Sequence, residues 1–437
     1  MAIDRRALVA GLASAAGAAF IPLARARDDL PAGADATAAL RAAIDAETRA
    51  GSAYLLPAGT FRTQTLRLPD GARLIGAPGA TRLILLGGGP LATADGAQRI
   101  TLSGLTFDGA DRALEADRGL VDFSGVAALS IADCAIEHSG GIGLRLRGCG
   151  GRVARNEIRD VATGGLFSTD ATGLVIDDNG IARCGENGLQ VWRTAAGDDG
   201  TRVSGNRISD IRNAPGGTGQ YGNGISIFRA GGVVATGNVI RRCAYSALRN
   251  NGGAGVIFTS NSCAELGEVA IFAEFAFEGC VISGNAIDGA IGGVQMVNFV
   301  GERGHAAVCS GNIIRNLRPT PDHSGHEYGY EAAIKVEADA TVSANVIEGA
   351  PWVGILVGWS ASLRDVAVTG NVVRDAPIGV AVSVAEGAGA AVIADNVISG
   401  ASRGAILGMN LDRPVTGDLA RGAEAPPRLR ISGNQAT

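Results

Sequence analysis

From residue 153 onward the chain repeats one phrase: an apolar residue, two small or polar residues, Asn, any residue, then Ile or Val. Val203-Ser-Gly-Asn206-Arg-Ile208, Ile282-Ser-Gly-Asn285-Ala-Ile287, Val342-Ser-Ala-Asn345-Val-Ile347 and Val368-Thr-Gly-Asn371-Val-Val373 are instances. The asparagines fall at Asn156, Asn179, Asn206, Asn238, Asn261, Asn285, Asn312, Asn345, Asn371, Asn396 and Asn434, spaced 23, 27, 32, 23, 24, 27, 33, 26, 25 and 38 residues apart. A period in the twenties with occasional insertions marks a solenoid, in which each repeat touches only its neighbours. Leu102-Ser-Gly-Leu105-Thr-Phe107 and Ile131-Ala-Asp-Cys134-Ala-Ile136 extend the frame with Leu and Cys in the asparagine place.

Within a phrase the apolar residues alternate, which turns one strand face inward and the other outward. Each phrase reads as two short strands meeting at a bend. Asparagine tolerates the left-handed backbone such a bend needs, and the glycine that often precedes it tolerates it better. Asparagines stacked at strand spacing make an amide ladder. A further strand follows in each repeat: Gly188–Trp192, Gly224–Phe228, Ala270–Glu274 and Ala333–Glu337. One turn cannot bury its own inward face, so the turns stack, and the fold class is all-β, a right-handed parallel β-helix. The leucine-rich horseshoe is excluded because its Leu-x-x-Leu-x-Leu period is absent. With 46% hydrophobic residues but 4% aromatic, the core is built from small and β-branched side chains, and a disordered chain is excluded. The 66 glycines lack the three-residue period of collagen. Seven cysteines, an odd number, take core positions and read as buried free thiols.

Residues 1–26 read as an export leader, with Arg5-Arg6, an apolar run from Leu8 to Ile21 and a small-residue site at Ala24-Arg25-Ala26. The paired arginines make it similar to a twin-arginine signal, which implies export machinery as a partner and a periplasmic or secreted protein with no membrane span once the leader is removed. Residues 27–95 are assigned to an N-terminal cap and first coils, and 96–437 to the repeats. Asp35-Ala-Thr37-Ala-Ala-Leu40 opens a capped amphipathic helix with Leu40, Ala43, Ile44 and Glu47 at helical spacing, placed over the open end of the stack. The strand, turn and strand through Leu56-Pro57-Ala-Gly59-Thr-Phe61 follow. This opening resembles the N-terminal cap of pectate-lyase-like β-helix proteins, and the repeats resemble those of polysaccharide lyases, epimerases and related carbohydrate-active proteins. With its leader, the chain is most similar to a bacterial family of twin-arginine-translocated β-helix repeat proteins. The resemblance spans about residues 30 to 437 and brings no catalytic motif that can be matched residue by residue.

In the further strands, the residues between core positions stack in two columns that are expected to face solvent. One runs Arg145, Phe167, Gln190, Ser226, Arg249, Phe272, Gln295, Lys335; the other runs Arg147, Thr169, Trp192, Phe228, Asn251, Glu274, Val297, Glu337. Lys335 is the only lysine. Gln190, Trp192, Phe228, Phe272 and Gln295 suit a linear saccharide, whose ring faces stack on aromatics while its hydroxyls need fixed partners. Glu274, Lys335, Arg249 and Glu337 supply acid, base and cation candidates for proton abstraction beside a uronate carboxylate, or for glycoside hydrolysis. Insertions at residues 213–221 and 318–328 follow bends four repeats apart, roughly 19 Å at strand spacing. They are expected to wall a cleft over Arg249, Phe272, Glu274, Gln295 and Lys335.

Asp322, His323, His326 and Glu327 in the second insertion read as a solvated loop, since no third ligand or HExxH motif fixes a zinc geometry. No metal site and no cofactor is assigned, although the export route admits a cofactor carrier. The net charge of −5 argues against a nucleic-acid-binding face. The sequence therefore points to an exported carbohydrate-active protein that binds a polysaccharide along one sheet face. It leaves open lyase, hydrolase and epimerase chemistry, and the alternative of a non-catalytic solenoid that binds glycan or envelope partners.

Overall fold

A computed structural model describes residues 34–297, 305–319 and 332–437. The leader therefore lies outside the described residues, as do Asp322, His323, His326 and Glu327.

Each turn of the chain contributes one strand to each of three sheets, and each sheet orders its fifteen strands by sequence, rung on rung. The first sheet starts at Tyr54–Leu55, the second at Gly59–Thr63 and the third at Leu66–Arg67. All pairings are parallel except the last of the third sheet, where Gly404–Asn410 pairs antiparallel with Arg413–Asp418. That hairpin gives the C-terminal edge of the third sheet a partner, a closure the repeat pattern does not announce. The phrase's two strands lie in the first and second sheets and the further strand in the third, as expected. The fold is a parallel β-helix.

The core is one continuous column. Ile136, Ile158, Ile181, Ile208, Ile240, Cys263, Ile287, Ile314, Ile347, Val373 and Ile398 stack in register on the second sheet and are all buried. The seven cysteines are buried and unbridged, and burial pushes the thiols of Cys184 and Cys263 up to about 12. They pack as small apolar side chains. The helix Thr37–Arg49 buries Thr37, Leu40, Ala43 and Ile44 against the first coil; Glu47, expected on that face, stays half-exposed. Its N-cap is Ala36, which makes no side-chain cap. Asp35, one residue earlier, accepts the Thr37 N–H at 2.8 Å instead.

The bends work differently from the sequence expectation. None of the repeat asparagines has a positive φ. The residue before each one does: Arg155, Asp178, Gly205, Gly237, Ser260, Gly284, Gly311, Ala344, Gly370, Asp395 and Gly433, with φ from 55° to 67°. The asparagines turn inward and are committed to hydrogen bonds. In Asn179, Nδ2 donates to Asn206 Oδ1 at 3.0 Å and to the Val153 carbonyl at 3.0 Å, and the backbone N–H also donates to Asn206 Oδ1 at 3.0 Å. The same links run unbroken from Asn156 to Asn434. At Cys134 the backbone N–H alone joins, donating to Asn156 Oδ1 at 3.0 Å.

Outside the ladder, arginines reach back one rung to aspartates in two-pronged pairs, as in Arg155 with Asp133 and Arg242 with Asp210. The fork geometry of guanidinium explains why the basic residues are almost all arginine. Exposed pairs of this kind contribute little each.

Removing one rung of the ladder should be costly, because the groups left behind are buried. Asn285→Ala orphans the Asn261 N–H, takes the partner of one Asn261 Nδ2 hydrogen while the other still donates to the Ala235 carbonyl, and removes a donor from the Phe258 carbonyl, at about 1–3 kcal/mol per buried unsatisfied group. In denaturant titration Asn285→Ala is expected to lose at least about 2 kcal/mol, whereas Arg315→Ala, in an exposed pair with Asp288, should stay within about 1 kcal/mol. Equal losses would remove the ladder's special role.

Candidate functional site

The two columns of the third sheet form in the register read from the sequence. Arg145, Phe167, Gln190, Ser226, Arg249, Phe272, Gln295 and Lys335 are successive partners, and so are Arg147, Thr169, Trp192, Phe228, Asn251 and Glu274. Glu337 follows two rungs beyond Glu274, its N–H bonded to the Met296 carbonyl.

These side chains do not stand in solvent as expected. Gln190, Arg249, Phe272, Glu274, Gln295, Lys335 and Glu337 are all buried, while Trp192 and Phe228 are half-buried. At the centre, Arg249 closes on Glu274 through Nε–Oε1 at 2.6 Å and Nη2–Oε2 at 2.9 Å, reaches Glu268 at 3.0 Å, and lies 4.8 Å from the centre of the Phe272 ring. Lys335 sits 5.4 Å from the Trp359 ring centre. Beyond Lys335 the outward face turns apolar, with Leu356, Ala381 and Leu407 clustered beside Trp352 and Trp359. The side chains over which the cleft was expected, Arg249, Phe272, Glu274, Gln295 and Lys335, are thus buried rather than exposed. Arg249, Glu268 and Glu274 pair with one another there. The first insertion does lean over this sheet: the Tyr245 hydroxyl donates to the Gly217 carbonyl at 2.6 Å, and Gly219, whose φ of 114° favours glycine, lies so close to Arg249 that a Cβ there would fall 2.2 Å from Nη1. The second insertion's ligand-type residues lie outside the described residues.

Among the described residues, an open part of the face lies at its N-terminal half. A hollow of about 920 Å³ is lined by Arg41, Arg67, Arg118 and Arg147 among the cations and by Asp95, Glu115 and Asp122 among the anions. Arg67 and Arg147 have no ion pair or side-chain hydrogen bond among the described residues. A second hollow of about 290 Å³ adjoins it and shares Glu115 and Arg118. Its walls are Phe167, Trp192 and Tyr221, with Asp117, Thr163, Glu186 and Gln190. Phe167 and Trp192 meet edge to face at 5.0 Å, Trp192 and Phe228 lie 5.5 Å apart, and Arg145 stands 5.1 Å from the Phe167 ring. The Trp192 indole N–H donates to Ser226 Oγ at 3.3 Å.

Asp117, Glu186 and Tyr221 were not singled out as site residues from the sequence. Tyr221 ends the first insertion. Asp117 belongs to a loop, residues 109–118, that lengthens the rung between Leu105 and Cys134 to 29 residues against the usual 23 to 27, and that excess length was the available signal. Arg145 ties this loop down by donating to the Asp117 carbonyl at 2.8 Å. Glu186 sits in the turn between the strands Gly180–Cys184 and Leu189–Asp198, where no period marks it. Burial pushes its carboxyl above the usual carboxylate range, and the nearby charge of Asp117 pushes it further. Burial, then Glu186 and Asp117, likewise raises the Tyr221 phenol.

Among the described residues, one group of metal-ligand types gathers, Asp108, Glu137 and His138 within 4.8 Å of one another. Arg82 bridges Asp108 and Glu137, and Arg159 caps Glu137 from the next rung. Guanidinium groups already occupy the cation's place there. No described helix is long and apolar enough to cross a membrane.

The family model described as "Right handed beta helix region" matches residues 93–214 and 194–373. No curated protein matches the chain. Among solved structures it is similar to gene product 12 of bacteriophage phi29 in its pre-mature form, at 13% identity and TM-score 0.53, covering 86% of this chain and 55% of that one. It is similar to the enzymatically active domain of bacteriophage CBA120 tailspike protein 2, at 14% identity and TM-score 0.50, covering 64% and 46%. It also resembles the mannuronan C-5 epimerase A-module of Azotobacter vinelandii, at 16% identity and TM-score 0.42, covering 92% and 96%. The chain spans about half the length of the two phage proteins. These likenesses are of fold.

The Arg249–Glu274 pair has a measurable consequence. Taking away one partner of a buried ion pair strands the other, at about 3–5 kcal/mol. Glu274→Ala and Arg249→Ala are each expected to lower the melting temperature, so loss of function in either variant would not by itself mark a catalytic group. A melting temperature unchanged in both would show that the pair is dispensable to the stack.

Proposed function

We propose, from the premise that the chain belongs to the right-handed β-helix family, that it is a carbohydrate-active protein holding an acidic polysaccharide along the outward face of its third sheet. One observation carries this reading: the two adjoining hollows, which combine stacked aromatic rings at one end with arginines lacking carboxylate partners at the other. From the rung of Arg67 to that of Gln190 the face advances five rungs, roughly 24 Å at strand spacing. That length accommodates several sugar units, with ring faces on Phe167, Trp192 and Tyr221 and carboxylates near Arg67 and Arg147. The rigid sheet spaces these contacts evenly, which suits a regular polymer. The leader-like segment at residues 1–26 supports a place of work outside the cytoplasm, where such polymers lie.

Purified protein titrated with polygalacturonate, alginate and the neutral controls dextran and laminarin should show tryptophan fluorescence changes with the acidic polymers only, weakening as salt is added. Trp192→Ala should weaken binding about tenfold or more, as expected for an aromatic anchor, and the double variant Arg67→Ala/Arg147→Ala should flatten the salt dependence. Equal affinity for the neutral polymers would overturn the acidic assignment.

A further inference from the structure

We propose that Glu186 and Asp117 form the general acid and general base of a glycosidase site, so that the groove hydrolyses the polysaccharide it binds. This inference rests on the groove reading above. It moves the chemistry from the buried groups Glu274, Lys335, Arg249 and Glu337 to the two carboxylates that line the open hollow.

Three observations converge on these residues. First, the Glu186 carboxylate makes no hydrogen bond or ion pair among the described residues, although its backbone is pinned. Its N–H donates to the Thr163 carbonyl at 3.2 Å, and its carbonyl accepts from the Gly222 N–H at 2.5 Å. A half-buried carboxyl on a pinned backbone, in a hollow that Leu114, Ile142, Phe167, Trp192 and Tyr221 also line, favours its protonated form, which is what a general acid needs near neutral pH. Second, Asp117 reaches the same hollow from a separate loop and is exposed to solvent, the setting of a base that activates water. Two carboxylates in contrasting surroundings divide the acid and base roles between them. Third, the site contains polar atoms without protein partners. Gln190, 3% exposed and lining the hollow, makes no side-chain hydrogen bond among the described residues, and Thr163 Oγ1, buried in the same wall, has none either. Such groups await a hydroxylated ligand.

The ionisable groups around Glu186 are Asp117, Glu115 and Arg118 on the 109–118 loop and Tyr221 on the insertion. Arg118 is engaged with Asp122 at 3.2 Å, and the neighbouring charge that acts on Glu186 is that of Asp117. In the step itself, Glu186 gives its proton to the glycosidic oxygen as the bond from that oxygen to the anomeric carbon breaks. A water attacks the anomeric carbon and passes a proton to Asp117. Solvent then returns a proton to Glu186 and removes one from Asp117. One glycosidic bond is lost and one water consumed, with no redox partner required.

The test uses the full chain with polygalacturonate and alginate, read by reducing ends and by the absorbance of unsaturated uronate. Saturated products are expected from the wild type. Glu186→Gln and Asp117→Asn should each lower the rate about 10²- to 10⁴-fold while binding is kept. Without any polysaccharide, a pH titration of tryptophan fluorescence should show a step that disappears in Glu186→Gln and moves to lower pH in Asp117→Asn. Linkage supplies the folding control: a carboxyl raised in the folded state loses stability as pH climbs from its unfolded value through its folded one, and the loss is complete above that, so Glu186→Gln should melt at or above wild type at neutral pH. Binding without cleavage, cleavage retained in Glu186→Gln, or unsaturated products would each overturn the inference and leave the groove reading standing. Absence of binding to either acidic polymer would overturn that reading, and this inference with it.

Discussion

The asparagine amide ladder is the constraint on which the rest of the structure depends. In a parallel stack, register has to be set at every rung, because a slip of one residue would turn the core face outward. Each ladder asparagine from Asn156 to Asn396 ties its backbone N–H and its Nδ2 to one Oδ1 in the next rung and its Nδ2 back to a main-chain carbonyl in the rung before. A slip in any rung would break all of these while their groups remained buried. The left-handed residue before each asparagine makes this geometry possible by aiming the next side chain inward. Where that residue is Arg, Ser, Ala or Asp rather than Gly, the hydrogen bonds of the corner offset the backbone strain.

A face so regular leaves limited room for function, and departures from the period create it. The loop at residues 109–118 and the insertion at 213–221 rise on either side of one stretch of the third sheet and meet around Glu186. The sheet supplies stiffness and even spacing, and the loops supply chemistry that the repeat cannot encode. The ion-paired centre of the same face, Arg249 with Glu268 and Glu274, shows what happens where charged columns are covered: they neutralise one another and become part of the packing.

The phrase spacing alone was enough to place every ladder asparagine, the three strands per turn, the two outward columns in their register and the thiols in the core. Burial of the outward columns escaped it, since alternation tells which way a side chain points and says nothing of what lies over it. The bend's division of labour also escaped it, because Gly-Asn and Asn alone both permit a left-handed residue, and only the hydrogen-bond geometry decides which residue takes it.

The sequence by itself determined a coiled stack of parallel strands, because the repeat interval and the period-two alternation admit one way of burying the apolar face. The position of the open hollow, the desolvated carboxyl of Glu186 and the aromatic wall beside it were decided only by tertiary structure. Asp117, Glu186 and Tyr221 are separated by 69 and 35 residues in the chain and share no pattern. Stacking brings their rungs together, and burial then shifts a proton equilibrium that no spacing of residues expresses.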